Sequence, residues 1–354
     1  MRRLAAAVCL TLALTGPAAA EEAAPGQPQP LSPYVTPQKP PPVNLTGPDG
    51  GDAPGERVTI TLENDRFAGD RDKNYTNGAR LSWMSAPAVA PGWLNELAAA
   101  LPFVGEAEAV RLMIELGQSM FTPETLAAEA PPPGERPYVG WLYVGLSALL
   151  EREDSLDRVG LLLGTLGPAA FAGPTQDGVH ELLGMERPMG WDSQPDSRPG
   201  FVVLLDRFWK LVQAEPTHAI QFEMLPHAGL AAGNVFSHAS AGVLFRIGSD
   251  LAREALPAAI APGLAPAGAS RADDGGFRWS LFVDFSGKAV ANNVTVEGLE
   301  GEGPNANPLV GDVTAGLTLS WGGLSLTYAR TLRSAEAEGQ EGDSFGGISI
   351  GLDF

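Results

Sequence analysis

Six polar residues of this sequence have side chains that could assemble into a catalytic or metal-binding site. Three lie in "TLENDRFAGDRDKNYTNG" (61–78) and three in "GPTQDGVHELLGME" (173–186): Asn64, Asp65, Thr76, Gln176, His180 and Glu186. Imidazole titrates near neutral pH and can accept a proton, and carboxylate and amide oxygens are the ligands that hard cations prefer. Gln176 and His180 are four residues apart, so a helix over 175–184 would place them on one face.

Asn64 and Asp65 also have a simpler interpretation. Asn, Asp and Gly favour turns for reasons of backbone conformation alone. That interpretation holds unless the surrounding elements bring the two stretches to one place in the fold. The elements that position these residues therefore decide between an ordinary turn and a site.

Alternation of apolar and small or polar residues is the main structural signal from residue 57 onward. In "GLTLSW" (316–321) and "GISIGLDF" (347–354), every second residue is a large apolar side chain, which is the pattern of a barrel with lipid outside and a polar interior. We predict an all-β fold, a twelve-stranded antiparallel transmembrane β-barrel, with strands at 57–64, 76–85, 109–119, 138–150, 156–166, 201–212, 218–228, 237–247, 277–287, 308–321, 324–332 and 344–354. A soluble β-sandwich is the alternative, but aromatic residues on the apolar face near strand ends, such as Trp83, Trp321 and Tyr328, favour the barrel.

The segments before the barrel predict export. Residues 1–20 have Arg2 and Arg3, then an apolar stretch, then small residues, as in a secretory signal peptide. Residues 21–56 are rich in Pro, Gly and Ala and are predicted to be a disordered periplasmic tail, which leaves 57–354 for the barrel. The only cysteine, Cys9, lies in the signal peptide, so disulfides and thiol chemistry are excluded from the mature chain.

The net charge of the chain, −19, argues against a nucleic-acid partner, because nucleic-acid binding needs a basic surface. An exported, glycine-rich chain of alternating segments that has no cysteine after the signal peptide points to the bacterial outer membrane.

The predicted topology places the six polar residues at one rim. If the first strand starts in the periplasm, the connections 65–75, 120–137, 167–200, 229–236, 288–307 and 333–343 lie outside the cell. Asn64, Asp65 and Thr76 flank the first of these, and Gln176, His180 and Glu186 lie in the third, which is long enough to carry a helix. A loop of that length is usually functional or disordered. His218, His227 and His238 have no comparable setting and are predicted to be strand-end or surface residues.

Several stretches resemble the outer-membrane lipid A 3′-O-deacylase family. They are "ENDRF" and "YTNG" (63–78), "GQSMFTP" (117–123), "ERPYVGWLY" (135–143), "LGPAAFAGPTQDGVHELLG" (166–184) and "GWDSQ" (190–194), in the family's order. Glu135, where the family would have Asp, and Val139, in place of a small residue, depart from the pattern. The Pro-rich tail lies outside the resemblance.

The resemblance implies a twelve-stranded barrel that hydrolyses the ester-linked 3′ acyloxyacyl chain of lipid A, with the active site facing the outer leaflet. It implies that His180 deprotonates water, that Ca²⁺ stabilises the oxyanion, that Asn64, Asp65, Thr76 and Glu186 are the other polar groups of the active site, and that Gln176 positions the substrate or donates to the oxyanion. Among the oxygen ligands, Asp65 is the first choice for the metal, and Glu186 is expected either to bind the metal or to orient His180. These roles suit imidazole as a base and a hard cation as a Lewis acid. No G-x-S-x-G nucleophile elbow occurs in the sequence, which favours attack by water. Arg136 is expected to anchor the second outer loop, with a contact to a lipid A phosphate as the alternative.

Two other functions remain open at this point. A non-catalytic outer-membrane barrel, either a small porin or a structural protein, would keep the strands but would not need the six polar residues together. A barrel phospholipase would normally use a serine nucleophile near a histidine, and no such pairing is apparent. The expected partners are lipid A or lipopolysaccharide as substrate and the lipids of the outer membrane, with the protein a monomer.

Overall fold

The fold is taken from a computed structural model of the chain. The structure describes residues 55–67, 74–87, 96, 107–185, 187–217, 220–251 and 276–354. The predicted signal peptide, the predicted tail up to residue 54, and Glu186 and His218 all lie outside the described residues.

Thirteen β-strands make up the described part of the chain. They are β1 (Arg57–Asn64), β2 (Asn74–Met84), β3 (Ala109–Thr122), β4 (Val139–Glu151), β5 (Ser155–Leu166), β6 (Arg198–Trp209), β7 (Val212–Thr217), β8 (Ile220–Gly233), β9 (Phe236–Gly248), β10 (Arg278–Asn293), β11 (Leu309–Trp321), β12 (Leu324–Arg333) and β13 (Asp343–Asp353). All pairings are antiparallel, and twelve of the strands form a closed ring in which β1 pairs with β13 and β6 pairs with β8. The predicted twelve-stranded barrel is confirmed.

The additional strand, β7, was not predicted. It pairs only with β8, with Val212 opposite Met224, and so extends one hairpin at the end of the barrel where β1 begins and β13 ends. The prediction ran the sixth strand through to residue 212, whereas β6 ends at Trp209. The strand ends before Lys210 because the backbone N–H of that residue donates to the Asp154 carbonyl and its ammonium donates to the Arg152 carbonyl. Both carbonyls lie in the neighbouring turn.

The barrel is apolar outside and polar inside. On β1 the side chains of Arg57, Thr59 and Thr61 are buried while Ile60 and Leu62 between them are exposed. This reverses the arrangement of a soluble protein and matches a wall that faces lipid. The interior side of the wall carries ion pairs between nearby strands, including Arg158 with Glu115 and Arg333 with Asp312, each at 2.8 Å.

Two helices occur in the described residues, both in connections between strands. Helix α1 (Ala172–Leu183) lies between β5 and β6, and the short helix α2 (Val294–Glu297) follows β10. Among the described residues, no helix has the length and apolar character needed to cross a bilayer. Glu56 forms two backbone hydrogen bonds with Phe354, so the chain enters and leaves the barrel at the same end. We call the opposite end, where β1 ends and α1 lies, the outer end.

Candidate active site

Helix α1 presents one face to the barrel. Its buried residues are Ala172, Gly173, Gln176 and His180, and the spacing of four between Ala172, Gln176 and His180 aligns them along the helix. The predicted helix over 175–184 is therefore confirmed in outline. Gln176 and His180 are 3% and 4% exposed, so both polar groups lie against the protein.

The surface that α1 covers is the outer side of the barrel wall, not its interior. Gly140 on β4 illustrates this, because a Cβ added there would lie 2.7 Å from the Ala172 side chain and 3.0 Å from that of Ala170. On β3, Gln118 donates to the Ala170 carbonyl at 2.6 Å. Met120, two residues further along the same face of the strand, packs with Ala172. The connection that carries α1 thus folds down over the outer ends of β3 and β4.

Asn64 and Asp65 form the turn at the outer end of β1. The Asn64 side-chain oxygen accepts the backbone N–H of Arg66 at 2.8 Å, which is an Asx-turn, and a 3₁₀ turn runs over Asp65–Phe67. The turn interpretation is therefore correct for Asn64. It is incomplete for Asp65, whose side chain is only 2% exposed, because ordinary turn carboxylates stay in water.

Thr76 lies at an irregularity in β2. Tyr75 pairs with Phe121 and Asn77 pairs with Met120, so Thr76 is the extra residue of a β-bulge. Bulges re-aim a side chain and are common beside active sites. The Thr76 hydroxyl lies 2.6 Å from that of Thr122, and both side chains are buried.

The Gln176 amide is held in a fixed orientation. Its Oε1 accepts the indole N–H of Trp191 at 2.7 Å, and Gly173 lets the ring approach the helix, since a Cβ there would lie 3.0 Å from the indole. The Nε2 of Gln176 is buried and has no acceptor among the residues that the structure describes. A buried donor of this kind is costly to leave unmatched.

A continuous set of contacts joins the two predicted stretches. Asn64 pairs with Asn77 on β2, and Thr76 bonds to Thr122 on β3. Met120, on the same face of β3, packs with Trp191, which in turn bonds to Gln176. Asn64, Asp65, Thr76, Gln176 and His180 are thus gathered on adjacent elements at one side of the outer end, whereas Glu186 falls outside the described residues.

The fit of this rim to a calcium ion depends on its oxygen donors. Within the described residues, no three His, Cys, Asp or Glu side chains form a group that could hold a metal ion. The rim offers the buried carboxylate of Asp65 beside the Asn64 amide. These donors have the right chemistry for Ca²⁺, which takes roughly six to eight oxygens, and the remainder would come from backbone carbonyls, water or substrate.

Three residues that support the site were not identified as such from the sequence. Trp191 orients Gln176, Thr122 holds Thr76, and Gln118 fastens the start of α1 to the wall. The same "GWDSQ" stretch also shapes the loop, since the Gln194 side chain accepts the Gly140 N–H at 3.2 Å. The sequence did contain a signal for Gln118, because it alternates in phase with Ile114 and Leu116, whose apolar side chains face outward. An amide that faces lipid requires a hydrogen-bond partner.

His227 and His238 lie elsewhere. His227 was predicted to be at a strand end or the surface, and this is wrong: it is buried inside the barrel, with Nε2 2.8 Å from Asp284 and its ring stacked on Phe208. Alternate residues of β8 face the barrel interior, and His227 is one of them. His238 lines a cavity of about 60 Å³ together with Trp141, Lys288 and other residues, and none of the five candidate site residues that the structure describes lines it.

Arg136 anchors the second outer loop, as expected. Its guanidinium is buried and donates to Glu336 at 3.0 Å. Glu336 also accepts from Arg333 at 3.3 Å, so two outer loops are joined through a single carboxylate.

Comparison with known proteins identifies the family. Among solved structures, LpxR from Salmonella typhimurium matches with a TM-score of 0.69 at 18% identity, over 84% of this chain and 100% of that one. The β domain of the Bordetella autotransporter BrkA also matches, at 13% identity over 86% of this chain and 100% of the other, but with a TM-score of 0.44. No curated protein sequence matches the chain. The family described as outer membrane protein LpxR matches over residues 4–354. The chain therefore belongs to the LpxR family of outer-membrane β-barrel lipid A deacylases, which are ester hydrolases.

Proposed function

We propose that this protein removes the ester-linked 3′ acyloxyacyl chain of lipid A at the cleft between α1 and the outer ends of β1–β3. The observation that carries this proposal is the pair of buried side chains on the wall-facing side of α1: an imidazole, and an amide whose donor has no acceptor among the described residues. Hydrolysis of an ester by water requires a base and a donor for the oxyanion. His180 and Gln176 supply one of each.

The reaction proceeds in two proton transfers. His180 takes a proton from a water molecule while the water oxygen attacks the ester carbonyl carbon. The tetrahedral intermediate collapses with cleavage of the bond to the 3′ oxygen of the sugar, and the imidazolium returns the proton to that oxygen. The products are a free 3′ hydroxyl and an acyloxyacyl carboxylic acid. The Nε2 of Gln176 points a donor at the carbonyl oxygen where negative charge develops.

The rim residues position the substrate and supply the remaining charge stabilisation. We assign Asp65, with Asn64, as the residues that would hold Ca²⁺, and Glu186 as a further ligand or as the residue that orients His180. When bound, the ion supplies a positive charge that stabilises an oxyanion. Thr76, fixed by Thr122, offers its hydroxyl to the same space. The outer end faces the cell exterior in this proposal, so the cleft opens onto the leaflet that contains lipopolysaccharide, and the enzyme acts as a monomer.

The test is His180→Ala, with lipid A analysed by mass spectrometry. We expect the variant to remain a heat-modifiable barrel on gels and to leave the 3′ chain in place, because no other histidine of the described residues lies at the cleft. His238→Ala, which lies inside the barrel, is the control and should retain most activity. Full activity of His180→Ala would overturn the mechanism while leaving the family assignment intact.

A further inference from the structure

The exposed side of α1 has two edges of different chemistry. One edge, which we call the apolar edge, consists of Phe171, Val179, Leu182 and Leu183, all exposed, with Leu182 at 83%. The other, which we call the acidic edge, consists of Asp177 and Glu181, one turn apart. Arg187 donates to Asp177 at 2.5 Å, and this hydrogen bond raises the pKa of the Arg187 guanidinium. Helices with one apolar edge and one charged edge are typical of the interface between membrane and water.

The contacts of α1 with the barrel wall show which edge faces the membrane. Thr175, four residues before Val179 and so on the apolar edge, lies 3.4 Å from the Gln118 amide. Gly173, four residues before Asp177, packs with Trp191, which belongs to the same hydrophobic cluster as Met120. Gln118 precedes Met120 by two residues on β3, and is therefore about 7 Å nearer the middle of the barrel. The apolar edge consequently points toward the middle of the wall, and the acidic edge points away from it.

The apolar edge continues a surface that already faces lipid. Below Gln118 on the outer side of the wall are Leu116 on β3, Val144 on β4 and Leu163 on β5, all of them exposed. Ala170, which precedes Phe171, is bonded to Gln118, so the apolar edge begins at the upper border of this band. Exposed apolar residues that adjoin a lipid-facing band belong to the same environment.

We propose that α1 is an interfacial helix whose apolar edge lies among the acyl chains of the outer leaflet. The partner is a lipid surface, and the acidic edge remains in the aqueous headgroup layer. The helix that covers the cleft is then held from two sides, by the wall through Gln118 and Gly140 and by the lipid through Val179, Leu182 and Leu183. This inference concerns where α1 lies in the membrane and does not depend on the catalytic roles proposed above.

Site-directed spin labelling tests the inference without measuring activity. Cys9 is the only cysteine of the sequence, so a Cys9→Ser background accepts single labels at Leu182→Cys on the apolar edge and Glu181→Cys on the acidic edge. The proteins are reconstituted into phosphatidylcholine–phosphatidylglycerol vesicles, and collisions of the nitroxide with oxygen and with a water-soluble nickel chelate are compared. We expect oxygen to dominate at position 182 and nickel to dominate at position 181.

A second pair of labels guards against a local effect of the probe. Val179→Cys and Asp177→Cys lie on the same two edges one turn earlier, and should repeat the result. All four side chains lie on the outward side of α1, and folding of each labelled protein is checked by heat-modifiable migration. Equal access of nickel to both edges, or the reverse order, would overturn the proposal. It would leave the proposed function standing, because the catalytic residues are unaltered.

Discussion

The indole N–H of Trp191 donates to Oε1 of Gln176 across 2.7 Å, and this bond decides which way the amide points. An indole nitrogen can only donate, so the atom that faces it must be the amide oxygen. The amide nitrogen is thereby turned away from the indole, and it is buried with no acceptor among the described residues. The tryptophan acts on the site through the glutamine, as a positioning residue.

We expect Trp191→Phe to lower kcat about five- to tenfold with little change in KM, since about 1 kcal/mol is the typical net contribution of one hydrogen bond. In the wild type the ring centroids of Trp191 and Tyr138 are 4.9 Å apart. Phenylalanine keeps an aromatic ring beside Tyr138 and removes only the indole N–H donor. Gln176→Ala should cost more, on the order of 10²–10³ in turnover, if Nε2 contacts the oxyanion. In a Gln176→Ala background the Trp191→Phe change should have no further effect, because coupled residues are not additive. Additive losses would show that Trp191 acts by another route.

Gly140 permits α1 to approach the wall, and this can be tested directly. In Gly140→Val the new side chain would collide with Ala170 and Ala172, whose Cβ atoms lie within 3.0 Å of the added Cβ. We expect the helix to be displaced, activity to be lost and the barrel to persist, since residue 140 is at the outer end of β4. Heat-modifiable migration reports the barrel, and lipid A mass spectrometry reports activity. Val144→Ala, on the same strand and the same outer face, is the control and should remain active.

The sequence predicted the barrel well because alternation is a direct consequence of a wall between lipid and a polar interior. On β1 the structure shows this alternation, since Arg57, Thr59 and Thr61 are buried whereas Ile60 and Leu62 are exposed. The hairpin formed by β7 was missed because Lys210 ends β6 through contacts with a turn from another part of the chain. A strand end that is caused by a tertiary contact does not change the alternation of residues in the sequence.

The side of the wall on which the site lies could not be predicted. Topology places Asp65, Thr76 and His180 at one rim, but only packing shows that the connection folds outward over β3 and β4. The bulge at Thr76 places this side chain on the opposite face of β2 from the one that regular alternation would predict. The bulge arises from the pairing of β2 with β3. His227 was misplaced because the predicted strand ended at 228, whereas β8 continues to Gly233, so His227 lies within the strand at a position that faces the interior.

Glu336 links the second and sixth outer loops and should make their stability depend on pH. Burial alone would raise the pKa of its carboxyl, but Arg333 and Arg136 outweigh burial and lower it below the ordinary value. A carboxyl with a lowered pKa in the folded protein stabilises it above the pKa of the unfolded chain. That contribution is lost as the pH falls through the lower folded pKa.

We therefore expect Glu336→Gln to destabilise the outer loops at neutral pH, on the order of 3–5 kcal/mol for loss of one partner of a buried ion pair. The difference from the wild type should shrink as the pH drops below the ordinary glutamate value of about 4.3. Limited proteolysis across a pH series measures it. Glu300→Gln, whose pair with Arg198 is exposed, is the control and should have little effect at any pH. If the loss of stability in Glu336→Gln did not change with pH, the charge of Glu336 would not have the role proposed for it.

Asp65 is the residue on which the proposed calcium dependence rests. Its carboxylate is buried at the rim, and the mature chain is expected to have no thiols, so the donors available there are oxygens suited to a hard cation. We expect Asp65→Asn to lower turnover on the order of 10²–10³, the usual cost of losing an oxyanion stabiliser.

A chelator should inhibit the wild type, and added Ca²⁺ should restore activity more fully than Mg²⁺, which demands stricter octahedral geometry. Because lipid A itself binds divalent ions, the measurement uses purified enzyme, detergent-solubilised lipid A and a parallel assay of bound metal. Glu181→Gln, an exposed carboxylate on the outward side of α1, should respond to chelator and calcium as the wild type does. Full wild-type activity in chelator, with no metal retained, would exclude calcium and leave the Nε2 of Gln176 as the principal donor to the oxyanion.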